Sequence, residues 1–198
     1  MDSVSFYIQC LDRFGPEARA VGWQDRNRQR CRFKVFCDYY DFDNKMVLDV
    51  GSGLGDFYDY LKQLNYSVDY RGIDACEALV SCAKTCYPSA FFEHSMLDHY
   101  FSDQLFDCVV ASGTFSYKEL DPIKRFKHNL QSAYQLTGDC FLFNFLSTEW
   151  PAKDRFDRFY YYDKQFVQDS CECLVPRPKS VRLVTDYLDG DVTVVVEK

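Results

Sequence analysis

The feature that most restricts the fold is Val47-Leu48-Asp49-Val50-Gly51-Ser52-Gly53-Leu54-Gly55, an apolar run that ends on alternating glycines. A short apolar run of this kind reads as a strand buried on both faces. Glycines directly after it let the chain turn and bring its backbone close to a ligand, because no Cβ stands in the way. Phe57, Leu61 and Leu64 follow at helical spacing, so the segment reads strand, glycine turn, helix. Parallel sheets are built from this unit, and open sheets of this type bind ligands beyond the carboxyl ends of their strands. The glycine turn is therefore the candidate ligand site.

The unit repeats along the chain. Strands are predicted at 46–50, 68–73, 90–93, 106–111 and 140–146. Helices between them are marked by Leu79, Cys82, Ala83 and Cys86, and by Ile123, Phe126, Leu130, Ala133 and Tyr134. The tail differs: apolar runs at 181–187 and 192–197 are joined by an Asp-Gly link too short for a parallel crossover, so they pair as an antiparallel hairpin. The prediction is one α/β domain over 1–198, a doubly wound seven-stranded sheet, mostly parallel, with an antiparallel C-terminal strand. Residues 1–45 form a helical N-terminal segment, with Phe33, Phe36, Cys37 and Tyr40 on one face. Residues 46–146 form a cofactor-binding half, 147–178 a substrate-side insert, and 179–198 the hairpin.

Composition removes several functional classes. Lys plus Arg number 23 against 30 Asp plus Glu, a net charge of −7, which does not suit a surface built to grip phosphate backbones. Arg26, Arg28, Arg30, Arg32 and Lys34 form a local exception. No apolar run reaches the roughly 18–20 residues of a membrane span, and residues 1–15 lack a signal peptide's basic start and apolar stretch. A cytoplasmic protein without a membrane partner is expected. The 10 cysteines contain no CxxC pair and the 3 histidines no HxH or HExxH pattern, so reduced thiols and no metal are expected. Asp38, Asp41 and Asp43 lack the central Gly and distal Glu of a calcium loop and read as a polar turn.

Two nucleotide-like cofactors compete for the glycine turn. Dinucleotide sites use G-x-G-x-x-G, whereas Gly51, Gly53 and Gly55 are spaced G-x-G-x-G. Asp49 before the turn would repel a diphosphate but tolerate the ammonium of S-adenosylmethionine. Asp74 ends the second strand and can accept from both ribose hydroxyls, which fits either cofactor.

At this point the sequence resembles the class I S-adenosylmethionine-dependent methyltransferases over residues 46–198. VLDVGSGLG resembles their glycine-rich first motif, GID their ribose-binding acidic motif, FDCVVASG their fourth strand, and RLVTDYLDGDVTVVVEK their last two strands. Gly22-Trp23, Gln29, Arg32-Phe33, GDFYDYL, FNFLS and YYYD are similar to small stand-alone methyltransferases of bacteria and phages. The resemblance implies a Rossmann-like fold, S-adenosylmethionine as cofactor, S-adenosylhomocysteine as product, and no metal. It places the cofactor on Asp49, Gly51, Ser52, Gly53, Gly55, Asp74, Ala75, Ser95, Met96, Leu97 and Ala111, with Gly53 closest to the methionine portion. Ser95 stands where the family often has an Asp that accepts from the adenine amino group, and Met96 and Leu97 form the adenine wall.

Methyl transfer from a sulfonium is an in-line displacement that chiefly needs alignment, so no catalytic residue need stand out. The exit of the fourth strand, 111–117, should face the methyl group; it lacks the Asn/Asp-Pro-Pro-Tyr pattern of DNA amino-methyltransferases. The expected substrate wall is Arg32, Phe115, Arg155, Tyr160 and Tyr161, a cationic and aromatic mixture. A small insert favours a small-molecule or nucleotide-derived acceptor. The alternatives are a macromolecular substrate (RNA, DNA or protein) docked on the Arg26 to Lys34 segment, or a non-catalytic S-adenosylmethionine-binding module, suggested by Ser95.

Overall fold

The computed structural model describes residues 2–23 and 25–198. Seven strands form one sheet: β1 (Lys45–Val50), β2 (Val68–Asp74), β3 (Phe91–His94), β4 (Phe106–Ala111), β5 (Thr137–Leu146), β6 (Ser180–Val184) and β7 (Asp191–Glu197). Their order is β3-β2-β1-β4-β5-β7-β6. The pairs among β1 to β5 are parallel, and β7 runs antiparallel between β5 and β6. The expected mixed sheet is found. Beside β1 the strand order reverses, β2 lying on one side and β4 on the other, which opens a crevice at their carboxyl ends.

Alternation along β1 sorts the layers. Leu48 and Val50 face a core shared with Phe126, Leu130 and Tyr134 of α5 (Pro122–Gln135) and Val167 and Cys171 of α6 (Lys164–Glu172). Val47 faces the opposite core. Phe33 and Phe36 of α2 (Arg26–Tyr39), Phe57 and Leu61 of α3 (Asp56–Gln63), and Val80 and Ala83 of α4 (Glu77–Cys86) pack there.

Three boundaries depart from the sequence reading. β5 starts at Thr137, three residues early, and β6 stops at Val184, where the chain enters the turn and the Tyr187 hydroxyl bonds Thr193 Oγ1 at 2.8 Å. More consequentially, 147–178 is not one substrate-side unit. Its second half holds α6, capped by Asp163 accepting from the Phe166 N–H at 3.0 Å and buried through Val167 and Cys171. At the other end, α1 (Ser3–Phe14) has no fully buried residue. It lays Val4, Tyr7 and Leu11 over Ala20, Leu54, Cys76 and Leu79, covering the glycine turn.

Candidate active site

A cavity of about 660 Å³ lies over the carboxyl ends of β1, β2 and β4. On one side the glycine turn leaves β1 with Gly51 at φ +75° and Gly53 at φ +54°, conformations that glycine adopts without strain. The N–H groups of Gly51 and Ser52 donate to the Ile73 carbonyl at 2.8 and 3.0 Å. Asp74 accepts from the Gly53 N–H through one oxygen and from the Cys76 N–H through the other, both at 2.8 Å. The turn is thus tied to the end of β2 through a single carboxylate. Burial raises the Asp74 pKa, with the two N–H groups pulling the other way.

Asp49 lies beneath the turn, 3% exposed, and accepts a hydrogen bond from the Tyr70 hydroxyl. Burial pushes its pKa up to about 7, against the opposing pull of that hydroxyl, with Asp74 and Asp56 adding to the rise. Ser52 Oγ is buried without a partner among the described residues.

The other side is built by two loops strapped together. Tyr160 N donates to the Ser116 carbonyl and Lys118 N to the Arg158 carbonyl, each at 2.8 Å. Leu146 N donates to Ser116 Oγ at 3.0 Å, and Gly113 N donates to Asn144 Oδ1 at 3.1 Å. The Thr114 hydroxyl reaches back to the Val50 carbonyl at 2.8 Å, fixing the β4 exit against the end of β1.

Of the residues expected at the cofactor, Asp49, Gly51, Ser52, Gly53, Asp74, Ala75, Ser95, Met96 and Leu97 line the cavity. Gly55 and Ala111 do not. A Cβ on Gly55 would meet the Phe92 ring at 2.8 Å, so that glycine lets α3 pack closely on β3; Ala111 is wholly buried in the core. At Gly53 a Cβ would meet Val21 at 2.9 Å, so the turn is closed from above by the N-terminal segment at that point. Ser95 Oγ donates to the Met96 carbonyl at 3.1 Å.

Of the expected substrate residues, Tyr160 lies off the cavity, its ring 4.7 Å from that of buried Tyr162. Phe115 borders the cavity but is 4% exposed, with its ring against Phe143 and Phe126 in the core. Arg32 lines the cavity as expected, buried in an ion pair with Asp191 and stacked 4.4 Å from the Trp23 ring, tying α2 to β7. Arg155 donates to the carbonyls of Trp150 and Thr148, and the Tyr161 hydroxyl accepts from the Phe156 N–H at 3.0 Å; both line the cavity while bracing their own loop.

Sequence reasoning missed Tyr7, which lines the cavity together with Arg28 and Arg158. Val4, Tyr7 and Leu11 share the helical spacing that would have marked an inward face on α1. Arg28 stands in the basic run 26–34 and Arg158 in the insert read as the substrate side, and tertiary structure brings the two to one space.

A methyltransferase-domain family profile matches residues 47–138, from β1 to the start of β5. The Mycobacterium tuberculosis (strain ATCC 25618 / H37Rv) protein Rv1506c, provisionally named a methyltransferase, is 30% identical over 159 residues, covering 77% of this chain and 92% of that protein. The chain belongs to the class I S-adenosylmethionine-dependent methyltransferases.

Solved structures share the fold of this methyltransferase at low identity. The plantazolicin methyltransferase BpumL, in complex with a pentazolic desmethyl-plantazolicin analogue and S-adenosylhomocysteine, superposes with a TM-score of 0.74 at 13% identity over 98% of this chain and 94% of that one. The Burkholderia thailandensis 1,6-didemethyltoxoflavin-N1-methyltransferase, bound to 1,6-didemethyltoxoflavin and S-adenosylhomocysteine, gives 0.68 at 14% over 100% and 91%. Magnesium protoporphyrin IX methyltransferase from Synechocystis PCC 6803 with S-adenosylhomocysteine gives 0.68 at 10% over 87% and 82%. Among the described residues no group of three or more His, Cys, Asp or Glu is arranged to hold a metal ion, and no helix is long and apolar enough to cross a membrane.

Proposed function

We propose that this methyltransferase transfers the methyl group of S-adenosylmethionine to a small molecule held in the same cavity. The observation that carries this reading is the cavity: about 660 Å³, lined on one side by the glycine turn and Asp74 and on the other by the 112–117 and 147–162 loops. That volume suits small ligands, which occupy sites of about 300–1,000 Å³.

The residues fit the cofactor. Gly51 and Gly53 keep side chains out of the turn, the Ser52 hydroxyl lacks a partner among the described residues, and Asp74 is held at the end of β2 with a lone pair on each oxygen left for ribose hydroxyls. Met96 and Leu97 supply an apolar wall for adenine, and Asp49 offers a carboxylate to a cationic ligand group. When bound, S-adenosylmethionine supplies an electrophilic methyl on a positively charged sulfur.

The chain's own contribution is to orient and enclose. Backbone bonds fix both loops, α1 covers the turn, and the reacting atoms are thereby aligned and screened from water. No histidine lines the cavity among the described residues. Asp56 is engaged by Gln29 and Arg26, Asp191 by Arg32 and Glu119 by Arg125. An acceptor that arrives with a free lone pair on the nucleophile needs no base from the protein.

Pairing within its docking strip weighs against the nucleic-acid alternative. Arg26 pairs with Asp56, Arg32 with Asp191 and Lys34 with Asp38, so among the described residues only Arg28 and Arg30 of that strip keep charge unmatched by a carboxylate. Two measurements test the proposal. Calorimetry should show S-adenosylhomocysteine binding, and a radiolabelled methyl donor added to cell extract should place label in the low-mass filtrate. Absence of binding at millimolar ligand, or label confined to RNA, DNA or protein, would overturn it.

A further inference from the structure

The acceptor side of the cavity is cationic in an acidic protein. Arg28, Lys153, Arg155 and Arg158 line it together, in a chain of net charge −7. Arg155 commits its N–H groups to the Trp150 and Thr148 carbonyls. Arg158 is different. Its guanidinium carbon sits 5.0, 4.6 and 4.9 Å from the rings of Phe6, Phe156 and Phe159. Among the described residues its Nε, shielded from solvent, has no acceptor, and no carboxylate lies within ion-pair distance of Arg158, Arg28 or Lys153.

A half-buried guanidinium ringed by phenyl groups gains some compensation from the ring faces, but its buried Nε–H still lacks an acceptor among the described residues. Its fixed fork matches the paired oxygens of a carboxylate or phosphate. Burial raises the pKa of the Tyr7 phenol with the nearby Arg158 opposing, and the net rise keeps it protonated at neutral pH. A protonated phenol donates to an anion and does not repel it.

We propose that the methyl acceptor is a planar, conjugated acid whose carboxylate or phosphate seats on Arg158, with its ring among the aromatic side chains of the same half of the cavity. This rests on the small-molecule methyltransferase reading and narrows it to a substrate class. The anionic group is a handle, distinct from the atom that receives the methyl. Arg158 is accordingly a specificity residue that orients the acceptor.

The test uses probes of one ring and different charge, titrated by calorimetry into the full chain loaded with S-adenosylhomocysteine: naphthoate, naphthyl phosphate, naphthamide and naphthylmethylammonium. At least one of the two anions should bind at least about tenfold more tightly than the amide, as a charged bidentate contact implies, and the ammonium should be excluded. Which anion binds better separates a carboxylic from a phosphorylated acceptor. Arg158→Gln should erase the preference for the anion while leaving the amide's affinity in place. Arg158→Lys keeps the charge without the fork and should weaken the anion severalfold; it decides the matter if the glutamine variant fails to fold. Equal binding of amide and anions, no saturable anion binding, or an undiminished preference in Arg158→Lys and Arg158→Gln would overturn the proposal. Failure of S-adenosylhomocysteine to load the wild-type chain is read beforehand, and would instead overturn the cofactor assignment.

Discussion

Asp49→Asn should make the protein more stable at neutral pH, although it alters the strand end beside the glycine turn. The Asp49 carboxyl is buried beneath that turn, and burial lifts its pKa to about 7. An ordinary Asp titrates near 3.9. Below about pH 4 the group is protonated in both the folded and unfolded chain, so it gives no pH-dependent contribution. Between about 4 and 7 the unfolded chain ionises while the folded chain holds its proton, and stability falls. Above about 7 the loss is complete, and a pKa raised from about 4 to about 7 corresponds to at most about 4 kcal/mol. Asparagine can still accept from the Tyr70 hydroxyl through Oδ1, so the variant removes the charge and keeps the bond. Urea unfolding at about pH 4.5, about pH 6 and about pH 8 should show a gain for Asp49→Asn that grows with pH. A gain equal at all three pH values, or none at the highest, would refute the argument that a buried, unneutralised carboxyl underlies it.

Arg32→Met should destabilise the fold by about 3–5 kcal/mol, because it leaves Asp191 buried without its partner; chemical denaturation measures it, and adding Asp191→Asn should recover most of the loss. Asp74→Ala should weaken S-adenosylhomocysteine binding by at least about tenfold in calorimetry, since hydrogen bonds to a charged group are worth about 1.5–3 kcal/mol each, and unchanged affinity would place the ribose elsewhere. Gly53→Val should abolish cofactor binding in a chain that retains its circular dichroism, because φ is positive and the new side chain runs into Val21. Pairing Gly53→Ala with Val21→Ala separates the two causes: recovery implicates the contact, and persistent loss implicates the backbone.

The parts of the site that were legible in the sequence are those where backbone chemistry fixes residue type. A turn with positive φ at Gly51 and Gly53 calls for glycine, and a carboxylate at the end of β2 that receives two N–H groups calls for Asp74. The strand pattern was equally readable, because β1 and β4 are apolar on both faces and β7 follows an Asp-Gly turn. What stayed hidden was decided by tertiary partners. Arg32 was placed at the cavity from its basic sequence neighbours and does line it; only the fold shows Asp191 opposite it, 159 residues away. Tyr160 and Tyr162 are alike in sequence, yet one packs beside the core and the other within it. The helix α6 did carry its own signal in Val167, Cys171 and Leu174, a spacing obscured by the prolines and charges around it.

The two sides of the cavity differ in how they are held, and the difference bears on how acceptor choice can vary. The side proposed for the cofactor hangs on strand ends: Asp49, the glycine turn and Asp74 are joined to β1 and β2 by backbone bonds and by burial, so changes there disturb the sheet itself. The side proposed for the acceptor hangs on loops. Residues 147–162 meet the sheet at few points, chiefly Ser116, Leu146 and the Tyr162 hydroxyl bonded to the Phe115 carbonyl at 3.2 Å, and their side chains between those anchors do not enter the main core. Arg155 and Tyr161 brace the loop through side-chain hydrogen bonds, whereas among the described residues the side chains of Lys153, Phe156 and Arg158 make none that hold it. Substitutions at these three positions should therefore change what the cavity accepts without changing how it holds S-adenosylmethionine. The same fold can then serve acceptors of different charge, because charge on this side is set by residues whose replacement leaves the sheet and the glycine turn intact.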